Sequence, residues 1–417
     1  MHADTDMRAQ VLATMQRVYS NALTSTSGGN ISAMDERGHI FITPSGIDKG
    51  ALCVEDIVEV LPDGTTIGRH APSMELPFHS NIYRTCPDVR AIVHAHAPAA
   101  VAYACMHADV PSDVTAFYAD ALGQVATSRY ALPGSLKLGD IVMERFAAGY
   151  RSVMMDNHGA TVGAANLEQA FIRYETLDYL CRTLFHATTL GQAYRLTEIT
   201  ERVPDMLPVK ASQAGDKELR TQLCGFLHRA YRGQLVAGGF GTLAVRDGDG
   251  WLANPDEADR ASVTPDQIVR FGKDSQSAVG NCRYRALIEQ IFATNPQAQT
   301  VFVSYPAATM GFALAHEHFD ARLIPESYIM LRDVSRLPYP ADGDWSAVAK
   351  ALTVQAPAAI VDNACVVTIG KNFTKAFDRM EVLDYSARSV LLAHGKGDIH
   401  PITQEQVDEI NATFQGW

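Results

Sequence analysis

At 417 residues, 47% hydrophobic and 20% charged, the chain has the composition of a globular protein large enough for two domains, each with its own core. Its formal charge of −12 is spread rather than blocked, and no basic stripe with interleaved aromatics occurs, which excludes nucleic acid as a partner. Seven cysteines without a CxxC pair read as reduced thiols of a cytoplasmic protein, with neither a signal peptide after Met1 nor an apolar run long enough for a membrane span.

Taken in order, residues 7–23 carry Val11, Leu12, Met15, Val18, Tyr19, Ala22 and Leu23 at helical spacing, with Thr5 and Asp6 as candidate caps. Ser25-Thr26-Ser27-Gly28-Gly29-Asn30-Ile31-Ser32 reads as a small polar loop entering a strand, and it lacks the GxGxxG spacing of a dinucleotide site. A short strand over His39–Thr43 breaks at Pro44-Ser45-Gly46. Helical spacing returns over 75–86, where His79 follows Glu75 by one turn and is read as structural. Ala91–Pro98 reads as a strand, and Val153–Gly163 as strand-like with His158-Gly159 in a turn. Asn166 caps a long helix, with Gln169 behind it and Leu167, Phe171, Tyr174, Leu177, Leu180 and Leu184 on one stripe. Periodicity fails over Glu198–Lys217, where Pro204, Pro208 and Gly215 collect; the linker is placed there, between domains at 1–200 and 215–417.

The chemistry concentrates at His94-Ala95-His96. Residues i and i+2 of a strand share a face, so both imidazoles can converge on one ion. With Glu75 upstream and His158 downstream, three histidines and a carboxylate compose the ligand set of a zinc-type site, Glu75 serving as ligand or base.

The second half then echoes the first. Leu235–Gly241 answers the Gly28-Gly29-Asn30 loop, and Ile291–Pro296 answers Ile82–Pro87. Val303-Ser304-Tyr305-Pro306 answers Ala95-His96-Ala97-Pro98, Asp362-Asn363 answers Asp156-Asn157, and Glu381–Tyr385 answers Glu175–Tyr179. Matches in one order indicate duplication. The ligands are absent from the copy: Phe302 stands for His94, Ser304 for His96, Ala364 for His158, and Tyr284 near Glu75. A separate His316-Glu317-His318 is read as a polar turn.

Residues 5–190 resemble the class II aldolase/adducin family. The motifs are Gly28-Gly29-Asn30-Ile31-Ser32, Thr43-Pro44-Ser45-Gly46, Pro72-Ser73-Met74-Glu75 with His79, His94-Ala95-His96-Ala97-Pro98 and Asn157-His158-Gly159. The resemblance implies two α/β/α domains with a mostly antiparallel central sheet. It implies one divalent ion on His94, His96 and His158, usually Zn2+ with Mn2+, Co2+ or Fe2+ as alternatives, and Glu75 as ligand and acid/base. It also implies phosphate binding by Asn30, Ser45, Gly46 and Ser73, and a tyrosine acid crossing a subunit interface, near Tyr118. Glu326 and Tyr328 answer the Tyr118 region. The expected activity is retro-aldol cleavage of a small hydroxyketone or sugar phosphate through an enediolate. Relatives commonly carry two serines before the glutamate where this chain has Ser73-Met74, and methionine offers no donor. A decarboxylase acting on a beta-keto or hydroxyaromatic acid is the alternative, followed by an epimerase and an adducin-like binding module. The family's rings imply a homo-oligomer, here a dimer serving as a pseudo-tetramer.

Overall fold

The computed structural model describes residues 2–199, 216–272 and 281–414, so residues 200–215 of the expected linker lie outside the described residues. The chain forms two compact units. One comprises Met1–Ser112 and Tyr118–Cys181; the other comprises Asp113–Phe117 and Arg182–Trp417. The second unit thus includes a short segment from within the first sequence repeat.

The first unit holds β1 (Asn30–Met34), β2 (Ile40–Ile42), β3 (Val58–Val60), β4 (Thr66–Ile67), β5 (Ala91–Ala95), β6 (Val125–Ser128), β7 (Ser152–Met155) and β8 (Gly159–Ala164). These make an eight-stranded sheet in the order β4-β3-β2-β1-β5-β8-β7-β6. Its neighbours are antiparallel except β6 and β7, which run parallel. Period-two burial puts Ile40 and Ile42, Val58 and Val60, and Val153 and Met155 into one core. Phe78 and Ile82 meet them from the helix Leu76–Thr85, and Leu138, Val142 and Phe146 from the helix Leu136–Ala147, at i, i+4 spacing on each helix. Each such side chain contributes about 1.5–3 kcal/mol by leaving water. Every residue of β5 is buried, so both faces of the central strand are covered, as a three-layer α/β/α arrangement requires.

The first helix begins ahead of the expected caps at Thr5 and Asp6. It runs His2–Ser20, and Asp6 accepts a hydrogen bond from Gln10 Nε2 at 3.0 Å inside it. The Asn166 cap is present, its Oδ1 accepting from Gln169 N at 2.9 Å ahead of the helix Leu167–Leu190.

The second unit repeats the plan with β9 (Thr242–Asp247), β10 (Gly250–Ala253), β11 (Val269–Phe271), β12 (Thr300–Ser304), β13 (Val334–Leu337), β14 (Ala358–Val361) and β15 (Cys365–Gly370). The order β11-β10-β9-β12-β15-β14-β13 is that of the first sheet without β4, and β13 with β14 is again a parallel pair. Local geometry repeats as well. The turn asparagines Asn157 and Asn363 have φ of 54° and 52°, and the helix-ending histidines His107 and His316 have φ of 50° and 57°. All seven cysteines are free thiols. Among the described residues no helix is long and apolar enough to cross a membrane.

Candidate metal centre and active site

His94 sits on β5 opposite Asn30 of β1 on one side and Thr161 of β8 on the other. His96 lies just past the strand's end, before Pro98 opens the helix Pro98–Met106. Its ring fits because two glycines stand against it. A Cβ on Gly28 would come within 2.8 Å of His96 Nδ1, and one on Gly159 within 2.7 Å of its Cδ2. Gly29, at φ +67°, lies so close to β5 that a Cβ would meet the His94 carbonyl oxygen at 2.6 Å. His158 closes the β7–β8 turn behind Asn157, whose left-handed backbone is steadied by a hydrogen bond from His107 Nε2 to its Oδ1, 2.7 Å long.

These elements bring one nitrogen each of His94, His96 and His158 within 4.8 Å of one another, the only such group of metal-type side chains among the described residues. Glu75, at the N-terminus of the helix Leu76–Thr85, reaches two of them: its Oε2 is 3.2 Å from His94 Nε2 and its Oε1 is 3.3 Å from His158 Nε2.

All three imidazoles are held neutral. Burial pushes His94 well below the ordinary histidine range, with the other rings adding to it. Burial and His158 push His96 down to about 4. Burial also lowers His158, against the opposing pull of Glu75. The tautomer of His94 follows from its partners. Its Nδ1–H donates to the Ala160 carbonyl at 3.0 Å, so Nε2 carries a lone pair. That lone pair faces the Glu75 carboxylate and stands 3.0 Å from His96 Nε2. Buried Glu75 Oε1 and His158 Nδ1 have no hydrogen-bond partner. An unpaired carboxylate oxygen and the His94 lone pair in a buried place are satisfied by a cation, and three neutral imidazoles plus a carboxylate are the donors of a zinc-type ion. The residues present therefore fit a divalent metal.

The other expected residues are placed as follows. The Thr43–Gly46 and Ala71–Ser73 segments lie together through a bridge between Pro44 and Pro72, with Ser45 N donating to Ala71 O and Ser73 N to Thr43 O. Ser45 is half-buried, Gly46 exposed and Ser73 buried, while Met74 is 68% exposed. Asn30 is buried with both ends of its amide engaged, Oδ1 to His79 and Nδ2 to Glu75. Tyr118, on the helix Ala116–Leu122, is completely buried, a placement that gives no support to an acid reaching a neighbouring subunit. Glu326 is exposed, and Tyr328 is half-buried with its hydroxyl 3.4 Å from Asn411 Oδ1. His316 hydrogen-bonds Asn363 and stacks on Tyr194 at 4.3 Å, which makes the His316-Glu317-His318 stretch a structured corner. Sequence reasoning passed over Lys49, a buried amine that donates to Pro44 O at 2.7 Å and that burial pushes down to about 8. The signal was a lysine between polar turn residues, which composition alone reads as solvated.

Residues 9–185 and again 221–391 match the profile of the Class II Aldolase and Adducin N-terminal domain. The 5-deoxy-D-ribulose 1-phosphate aldolase of Bacillus thuringiensis serovar kurstaki is 32% identical over 193 residues, covering 46% of this chain and 90% of the aldolase. A 3-oxo-tetronate 4-phosphate decarboxylase of Pectobacterium atrosepticum is 29% identical over 182 residues, covering 43% of this chain and 83% of the decarboxylase. A methylthioribulose-1-phosphate dehydratase of Acidiphilium cryptum is 30% identical over 182 residues, covering 41% of this chain and 86% of the dehydratase.

Proposed function

The chain belongs to the class II aldolase and adducin N-terminal domain family, and on that premise we propose that it is a metal-dependent carbon–carbon lyase cleaving a small phosphorylated hydroxyketone. The observation that carries this is the Glu75 carboxylate held against the ring nitrogens of both His94 and His158. His94, His96 and His158 would hold a divalent ion, Zn2+ by its donor set, with Glu75 beside or on it. Such an ion supplies a Lewis acid for the negative charge that develops next to a carbonyl.

In retro-aldol cleavage the hydroxyl on the carbon beta to the carbonyl gives its proton to water and that oxygen becomes the aldehyde. The bond between the alpha and beta carbons breaks, and its electron pair passes to the alpha carbon and the carbonyl oxygen. Glu75, having taken a proton from water, delivers it to the alpha carbon and returns to a carboxylate. Ser45, Gly46, Ser73 and the second amide hydrogen of Asn30 are the proposed phosphate donors, and all three relatives above are named for phosphorylated compounds.

A decarboxylase is the second reading. It is favoured by Met74, exposed where a hydroxyl donor would serve a phosphate, and by the decarboxylase relative. We place residues 1–200 as the catalytic domain and 215–417 as the metal-free repeat, in a homo-oligomer of the cytoplasm. A dimer is supported by an asymmetry. Thr115–Phe117 is buried, whereas Ile324–Glu326, at the matching start of the corresponding helix, is exposed.

The test is metal analysis of the purified full chain with 5-deoxy-D-ribulose 1-phosphate and a 3-oxo-tetronate 4-phosphate as substrates. One divalent ion per chain and an aldehyde product are expected. Carbon dioxide without aldehyde would select the decarboxylase, and protein without metal would overturn both.

A further inference from the structure

Behind Glu75 runs a buried chain of side chains in which every proton position is determined. Asn30 Nδ2 donates to Glu75 Oε2 at 2.7 Å. Asn30 Oδ1 can only accept, so the proton in its 2.5 Å contact with His79 lies on His79 Nε2. His79 Nδ1 is then an acceptor and takes the Ser32 hydroxyl hydrogen at 2.7 Å. Ser32 Oγ, having given its only hydrogen, accepts from Tyr83 at 2.7 Å. Desolvation keeps His79 neutral by pushing it down to about 3, and it pushes Tyr83 far up.

The arrangement is a zipper of two periodicities. Glu75, His79 and Tyr83 are spaced i, i+4, i+8 along one helical face, and Asn30 and Ser32 are i, i+2 on one strand face. The two rows interleave, so that Asn30 bridges Glu75 to His79 and Ser32 bridges His79 to Tyr83.

The second repeat shows whether the fold itself needs this. By strand register, Asn30 and Ser32 correspond to Thr242 and Ala244, which pair with Val303 and Val301 as Asn30 and Ser32 pair with His94 and Ile92; Val303 in turn pairs with Val367 as His94 does with Thr161. By helix start, Glu75, His79 and Tyr83 correspond to Tyr284, Ile288 and Phe292. All five replacements are buried, and three of them, Ala244, Ile288 and Phe292, carry no polar side-chain group. The same strand and helix close without the relay in the copy that has no metal ligands.

We propose that Asn30, Ser32, His79 and Tyr83 are positioning residues for Glu75, with His79 locked as its Nε2–H tautomer so that the Asn30 amide presents N–H, not C=O, to the carboxylate. A flipped Asn30 would set its carbonyl against Glu75 and turn the carboxylate from the histidines. The proposal rests on Glu75 acting beside a metal, and its test separates the two.

The full chain is prepared as Ser32→Ala/His79→Ile/Tyr83→Phe, a substitution set taken from the second repeat and so compatible with the fold, and as His79→Gln, whose amide can both donate and accept. Nitrogen-15 NMR of the imidazoles, with His79 assigned by its loss in His79→Gln, reads the tautomer; release of zinc to a chelator reads the hold on the metal; kcat and KM are measured on whichever substrate turns over. The expected results are an Nε2–H His79, faster zinc release from the triple variant, and a fall in kcat of about 10–100-fold with KM little changed, partly restored by glutamine. An Nδ1–H His79, or a triple variant with wild-type zinc release and kcat, overturns the proposal. If the wild type turns over neither substrate, the lyase function fails, while tautomer and zinc release still decide the relay.

Discussion

The two repeats share a sheet order and differ at the ends of two strands and one helix, and that difference sorts their residues. Where the first has His94, His96, His158 and Glu75, strand register and helix starts give the second Val303, Tyr305, Ala364 and Tyr284, not the Phe302 and Ser304 expected from aligning Pro98 with Pro306, and its interior there is aromatic. Tyr305 lies 5.4 Å from Phe240 and 4.8 Å from Phe117, a residue of the same compact unit. The turn at Asn157 and Asn363 is alike in both, down to the histidine hydrogen bonds of 2.7 and 2.6 Å. What survives without the ligands belongs to the fold; what vanished with them belongs to the chemistry.

The strongest way to break this sorting is to give the first repeat the second repeat's residue. His94→Val should abolish metal binding and turnover together, because it removes the ligand whose lone pair faces Glu75 and leaves a side chain that the same strand position already accommodates in Val303. Metal analysis beside circular dichroism checks it. A folded variant that keeps its metal would mean that His94 is a core histidine. Glu75→Gln comes next. It keeps the shape and removes the charge, so kcat should fall about 10²–10⁴-fold, the range of a lost acid/base, in protein that still carries metal on three histidines. Unchanged turnover would reduce Glu75 to a structural carboxylate.

Acid should also tell the repeats apart. Folded His79 titrates near 3, below the ordinary 6.5, so the unfolded chain takes up this proton first. Stability from this group is complete above about 6.5 and is lost as the pH falls toward 3. His96, near 4 in the metal-free chain, acts in the same direction. The second repeat has Ile288 in place of His79. Amide hydrogen exchange should therefore speed up in Leu76–Thr85 between pH 6.5 and 4, after correction for intrinsic rates, and stay steadier in Arg285–Thr294. Equal acceleration in both would show that acid acts through other groups.

Much of this was legible in the chain. Period-two apolar runs and the ordered echoes located the strands and the duplication, and His94, His96, His158 and Glu75 stood out because few other roles place those residue types together. Ser32 and Tyr83 did not. One looked like a strand residue and the other like core, and their spacings meet only when β1 lies against the helix Leu76–Thr85, a long-range pairing that neither segment encodes alone. Asn30 was legible as a site residue but not its partners, since an amide beside a glycine loop suits a phosphate as well as a carboxylate. Gly28 and Gly159 looked like turn residues, whereas the missing Cβ makes room for the His96 ring. Asp113–Phe117 joined the second unit for reasons of packing that periodicity does not carry.

The smallest expected effect is also the sharpest on the comparison, because it concerns what the repeats share. Asn157 and Asn363 hold left-handed backbones of equal φ, each accepting a hydrogen bond from a left-handed histidine at the end of a helix. Alanine at either place keeps the strained conformation and removes the bond, at a cost of about 1–3 kcal/mol. Asn363 has more to lose, since its Nδ2 also donates to Val114 O and Tyr194 O at 2.8 Å each. Asn363→Ala should therefore lower the denaturation midpoint more than Asn157→Ala. Only Asn157→Ala should disturb zinc affinity, because the residue after it is His158 in one repeat and Ala364 in the other. Were both variants to leave zinc affinity untouched, the turn would be a property of the fold alone, and the boundary between scaffold and chemistry would run between Asn157 and His158.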